Sequence, residues 1–298
     1  MVRLVACAAV SGIFALLVGC SGEDSPSEPP VSTGGTVSTG GGSGGTLPTG
    51  GAPATGGTDP GPMVELELPI ERDGKYVLEF GDLLFEVDPN KGGRVTRFEL
   101  NGYDVIADAG VTGDGTNSGS TFWPSPQSGW YPNSDTEWPP IASIDSDAYS
   151  ASLEGTTIVL RSPAPDHPDR ARVSVVKRFQ ADLEKEAIVC TFELKNEADQ
   201  TVSWAPWQVT RVGPNGLSFF TTGSEVVYDR LDTTESAGIT WFDHPAGVPN
   251  PLPGWPDSPK LSVDVSEPWL AHVAGNVVFV KTFPAVSPSS FAPGHGEV

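Results

Sequence analysis

Past Val64 the chain is a succession of short stretches in which apolar and polar residues alternate, each closed by turn-forming residues. A period of two puts successive side chains on opposite faces of an extended strand, so the apolar face must be covered by another layer. Tyr76-Val77-Leu78-Glu79-Phe80 passes through Gly81-Asp82 into Leu83-Leu84-Phe85-Glu86-Val87, two strands across a tight turn. A second turn at 88–93 precedes a strand at 94–100, and the hairpin dipeptide Asn101-Gly102 leads to another at 103–106. Further strands are expected at 151–153, 157–161, 171–180, 187–195, 201–212, 216–220, 261–265 and 277–283. No run of ten or more residues repeats apolar positions at 3.6, and 29 Pro, many within 124–168 and 245–268, oppose long helices. The expected fold is all-β, with long Pro-rich loops at 111–142 and 231–260. These loops hold five of the eight Trp (Trp123, Trp130, Trp138, Trp241, Trp255), which argues for packed rather than loose segments.

The first 62 residues read differently. Arg3 precedes an apolar stretch, Leu4 to Val18, that is short for a membrane span of roughly 20 residues and fits the core of a secretory signal. Its end, Leu17-Val18-Gly19-Cys20, resembles the lipobox of bacterial lipoproteins. That resemblance implies removal of residues 1–19, acylation of Cys20 and, with Ser21 next, sorting to the outer membrane of a Gram-negative cell envelope. Between Ser21 and Pro62, 33 of 42 residues are Gly, Ser, Thr or Pro and none is aromatic. Such a segment has nothing to offset the entropy of ordering, so 20–62 is expected to be a disordered tether. Its root-mean-square span would be roughly 35 Å. Residues 63–298 are left for the folded domain.

The whole chain carries 17 basic and 38 acidic residues, a net charge of −21, which repels phosphate backbones and argues against nucleic-acid binding. Of the three Cys, Cys7 leaves with the signal and Cys20 carries lipid, so Cys190 has no disulfide partner within the domain. Its strand-like surroundings suggest a small buried hydrophobe. Asp145-Ser146-Asp147 and Asp166-His167-Pro168-Asp169 offer oxygens to Ca²⁺, but no twelve-residue calcium loop is present, and they read as solvated acidic loops. Scattered His and a mid-strand Cys make a zinc site unexpected, and no cofactor fingerprint follows a strand.

Lys91-Gly92-Gly93-Arg94-Val95-Thr96-Arg97-Phe98-Glu99-Leu100-Asn101-Gly102 resembles the opening of galactose-mutarotase-like domains, the aldose 1-epimerase superfamily. Segments 120–127, 138–140, 205–210 and 277–281 fit an uncharacterised secreted bacterial branch of it. The resemblance implies a two-layer antiparallel β-supersandwich with a carbohydrate-sized groove. Two departures qualify it. The epimerases use two His and a Glu, yet the Phe122-to-Gln127 segment stands where the first His motif should fall. The family also continues for several strands beyond a point like Glu297-Val298, so the domain is expected to be incomplete at its C-terminus.

Sugar recognition needs flat apolar faces for C–H surfaces and fixed polar groups for hydroxyls. Trp123, Trp138 and Trp207 with Gln127 supply these types, and each Trp is equally a candidate for core packing. Arg211 follows Trp207 at i+4, so a regular strand places both on one face. Lys281 ends an apolar run and is a candidate to point into the expected groove, or else a solvated strand end. Three readings stand: a tethered extracytoplasmic carbohydrate-binding protein; a sugar epimerase or polysaccharide-active enzyme, with His295 and Glu297 nearest to the expected position of its acid or base; and a structural surface lipoprotein without a ligand.

Overall fold

The computed structural model describes residues 3–11, 69–108, 117–131, 140–165, 171–229, 232–244 and 261–291. The tether, Cys20, Trp138, His295 and Glu297 lie outside the described residues. The strands are β1 (Arg3–Ser11), β2 (Ile70–Arg72), β3 (Lys75–Phe80), β4 (Leu83–Asp88), β5 (Arg94–Leu100), β6 (Tyr103–Asp104) and β7 (Ser120–Ser125). They continue with β8 (Ser150–Glu154), β9 (Thr157–Arg161), β10 (Val173–Asp182), β11 (Ala187–Asn196) and β12 (Ala205–Thr210). Last come β13 (Gly216–Asp229), β14 (Thr234–Ser236), β15 (Ile239–His244), β16 (Leu261–Ala274) and β17 (Val277–Thr282). A one-turn helix, α1 (Ala142–Asp145), follows β7.

The protein is an all-β sandwich. One sheet has ten strands in the order β14-β15-β13-β16-β17-β1-β11-β10-β9-β8; the other has seven, β12-β7-β5-β4-β3-β2 with β6 on β5. Every described ladder is antiparallel except the two that β1 makes, with β11 and with β17. Residues 3–11, read from sequence as part of an export signal, are thus a strand inside the larger sheet of the full chain.

Aromatic contacts join the layers. Phe85 of β4 meets Phe179 of β10 at 5.2 Å, Phe98 of β5 meets Phe279 of β17 at 5.6 Å, and Phe122 of β7 stacks on Phe192 of β11 at 4.4 Å. β10 contributes alternate residues, as the burial of Val173, Val175, Lys177 and Phe179 shows. Burial of a Phe contributes about 1.5–3 kcal/mol, so this row dominates cohesion between the sheets. Cys190 is among the buried side chains.

The turns follow their residues. Asn101 and Gly102 both take positive φ, 54° and 75°, as a type I′ hairpin between β5 and β6 requires. The expected loops need correction. The segment 111–142 contains β7, whose Pro124 lies opposite Pro206 of β12, the edge strand. Two opposed prolines suit a pair position where neither N–H is needed, and the sheet margin tolerates their lost donors. The segment 231–260 contains β14 and β15. β13 and β16 run past their expected ends, with register shifts at 220–228 that absorb irregular spacing, and β16 carries Pro268 within it. β12 begins at Ala205 rather than 201, and β6 stops at Asp104.

Candidate functional site

The Gly92-Gly93-Arg94 turn is where the site's foundation begins. Gly92 has φ 66°, and a Cβ on it would fall 1.9 Å from the carbonyl oxygen of Asp145, so only Gly lets α1 approach this turn. Arg94 is then held beneath the smaller sheet at 2% exposure, donating through Nη2 to Asp145 Oδ1 at 3.0 Å and through Nη1 to the Ser118 carbonyl at 2.8 Å. Asp145 Oδ1 also accepts from Trp123 Nε1 at 2.7 Å and Thr121 Oγ1 at 3.3 Å. Asp145 is therefore a buried acceptor at the meeting of three elements, not part of a solvated acidic loop. Removing such a charge from water is costly, and its three donors, the paired guanidinium among them, offset that cost.

Lys177 of β10 lies against the same foundation, 1% exposed, donating to the carbonyls of Gly92 at 2.7 Å and Gly93 at 3.3 Å with Nζ 5.0 Å from the centre of the Tyr149 ring. Burial pulls its pKa down to about 7, Arg94 pulls it the same way, and Asp145 opposes both. Burial likewise raises the Tyr149 phenol, which donates to the Ile144 carbonyl at 2.6 Å.

On this base, the β7–β12 register sets Trp207 directly opposite Trp123. Their rings meet edge to face at 5.2 Å, and Trp130 touches both, at 5.5 Å from Trp123 and 6.3 Å from Trp207. Arg211, one residue beyond β12, lays its guanidinium 5.4 Å from the centre of the Trp123 ring and donates to Asn117 Oδ1 at 3.2 Å. The i+4 spacing does place Trp207 and Arg211 on one face. Gln127 opens the 3₁₀ turn Gln127–Gly129 whose following residue is Trp130.

Exposure separates these residues into floor and rim. Trp123 is 3% exposed and Trp130 1%, so neither indole offers a face to solvent. Trp207, Arg211, Gln127 and Asn117 are half-buried. Beside the sealed aromatic floor, the Trp207 indole and the Arg211–Asn117 pair are therefore only partly open, with Arg211 Nη1 itself buried. Lys281 does not join them. Its Nζ lies 3.4 Å from the Gln208 carbonyl and 3.3 Å from Thr210 Oγ1, joining β17 to β12 between the sheets.

A second constellation was hidden from sequence reasoning. Ser218 Oγ on β13 lies 2.8 Å from His244 Nε2 at the end of β15 and 3.0 Å from His272 Nδ1 on β16. His244 therefore closes a strand rather than sitting in a loop. His272 is buried and its Nε2 has no hydrogen-bond partner among the described residues; it packs on β13, where a Cβ on Gly216 would come within 2.4 Å. Desolvation, with His244 adding to it, lowers the His272 pKa to about 4. His244 is lowered too, chiefly by burial. Burial thus favours the neutral form of both rings, and a hydroxyl between two neutral imidazoles can donate to one and accept from the other. Register across β13, β15 and β16 was the missing signal, because the three residues are 26 to 54 positions apart.

Among the described residues no group of three or more His, Cys, Asp or Glu is placed to hold a metal ion, and no helix is long and apolar enough to cross a membrane. No family model, curated protein or solved structure matches this chain.

Proposed function

We propose that this protein is a carbohydrate-binding domain of galactose-mutarotase-like fold, exported and tethered through a lipid on Cys20 to the cell envelope, at the outer membrane of a Gram-negative bacterium. The observation that carries the reading is the half-open cluster on the β7–β12 pair. Trp207 offers ring surface for sugar C–H faces, while Arg211, Asn117 and Gln127 offer donors and acceptors for hydroxyls. Rigid, well-supported groups lose little entropy on binding, and the packed floor of Trp123 and Trp130 provides that support. The acidic charge of the chain suits a neutral ligand better than an anionic one. Titration with soluble oligosaccharides tests this through Trp emission. The parent's spectrum should shift on binding, W207A should lose the shift, and Y103A, at an exposed aromatic elsewhere, should keep it. No shift in the parent across the panel would refute the reading.

A second reading, an epimerase or polysaccharide-active enzyme on the same fold, draws on Ser218 between His244 and His272. Two neutral imidazoles joined by a hydroxyl can pass a proton, which general acid–base chemistry at a sugar requires. Polarimetry on common hexoses tests it: a rate above buffer that falls in S218A and H244Q supports it, and a rate equal to buffer removes it for those sugars.

A further inference from the structure

In the larger sheet β1 is anomalous, being parallel to both neighbours and far from each in sequence. Its backbone register runs Ala6 to Ser11 against Ala187 to Phe192 of β11, and Arg3 to Ala8 against Val277 to Thr282 of β17. β11 and β17 have one other partner apiece, β10 and β16. They therefore stand two strand spacings apart, about 9.6 Å, too far to bond to each other directly. Without an intervening strand, each would present an unpaired row of backbone groups in mid-sheet. Ile188, Cys190 and Phe279 along those rows are buried, and unpaired backbone polar groups there are costly. The position accepts a strand on chemical grounds too, since residues 4–11 are uncharged and built from Leu, Val, Ala, Cys and Ser.

We propose that the gap between β11 and β17 is a strand-binding site that takes one extended, uncharged segment of small and β-branched residues, parallel to both walls. Residues 3–11 fill it in the chain as synthesised. Where export removes residues 1–19, a consequence that rests on the lipoprotein reading above, the vacated gap takes a peptide strand of the same chemistry from another chain. Main-chain bonding on both sides supplies affinity, and the alternating side chains supply selectivity.

The test uses the full chain, made without export so that residues 1–19 remain. A6P puts proline in the middle of β1, where a strand paired on both sides does not tolerate it. Backbone amides at 187–192 and 277–282 should exchange slowly in the parent and about tenfold or more faster in A6P. A labelled peptide of residues 3–11, with Cys7→Ser, should bind A6P about tenfold or more tighter than the parent and restore slow exchange. Equal exchange in parent and A6P, with neither capturing the peptide, would overturn the proposal. Should A6P fail to fold, the C7S/A9C chain gives an independent reading, because position 9 lies in register with native Cys190. Oxidation should cross-link the two positions in the folded chain, and the absence of that cross-link would equally overturn it.

Discussion

Asp145 holds more of the site together than any other side chain, because one carboxylate oxygen receives Arg94, Trp123 and Thr121. Asp145→Ala leaves the Arg94 guanidinium buried without its counter-charge and should destabilise the domain by about 3–5 kcal/mol in urea unfolding. A loss under 1 kcal/mol would mean that water reaches the pair. Lys177 gives a sharper signature through pH. Its native pKa of about 7 lies below the ordinary 10.5, so between these values the unfolded chain binds a proton that the native chain does not. Stability from this group therefore rises with pH across that window, by up to about 1.4 kcal/mol per unit, and is flat below it. Subtracting the unfolding free energies of K177M from those of the parent at pH 7, 8 and 9 isolates the slope; a constant difference would show that Lys177 is not held neutral. At this scale the sequence was readable only where partners are local. The shared face of Trp207 and Arg211 follows from strand alternation, whereas Asp145 reads as one more acidic loop residue because its donors come from 22 to 51 positions away.

The strands show which local signals suffice. Apolar runs and turn residues mark β3, β4, β5, β9, β10, β11 and β17 almost to their ends, and β10 and β17 alternate between a buried and a more open face. β7 is different, buried at every position from Ser120 to Ser125, so it has no polar face to alternate with, and its Pro124 argues against a strand. What covers its outer face is α1 with the Trp130 turn, and nothing local to β7 announces either. β15 ends in Asp243-His244 and pairs with the short β14, a polar margin that resembles a loop. Cohesion between sheets belongs to this scale as well. Phe179 touches both Phe85 and Phe192 from the middle of β10, so Phe179→Ala should cost about 3–5 kcal/mol, measured by urea unfolding. Gly92→Ala tests how α1 docks. The added methyl collides with the Asp145 carbonyl, and the variant should lose several kcal/mol, about as much as Asp145→Ala, if the turn and helix act as one unit. Near-parent stability would show that α1 can move away freely.

For the whole molecule, alternation foretells a two-layer β body but not its strand order, because register between distant strands is decided by packing that no local window contains. The placement of residues 3–11 between β11 and β17 is of this kind, since in sequence they carry the marks of an export signal. Of the six residues expected to contact sugar, Trp207 and Arg211 are half-buried against the Trp123 ring, Gln127 is half-buried at the start of the turn before Trp130, and Lys281 joins the sheets. Trp138 lies outside the described residues. On the proposed reading, binding belongs to the rim and support to the floor. A glycan array probed with the full chain and with W207A, both verified as folded, separates these roles most directly. On that reading the parent should retain a defined set of neutral glycans and W207A none of them. A parent that binds nothing, or a W207A variant that binds the same set equally well, would contradict it.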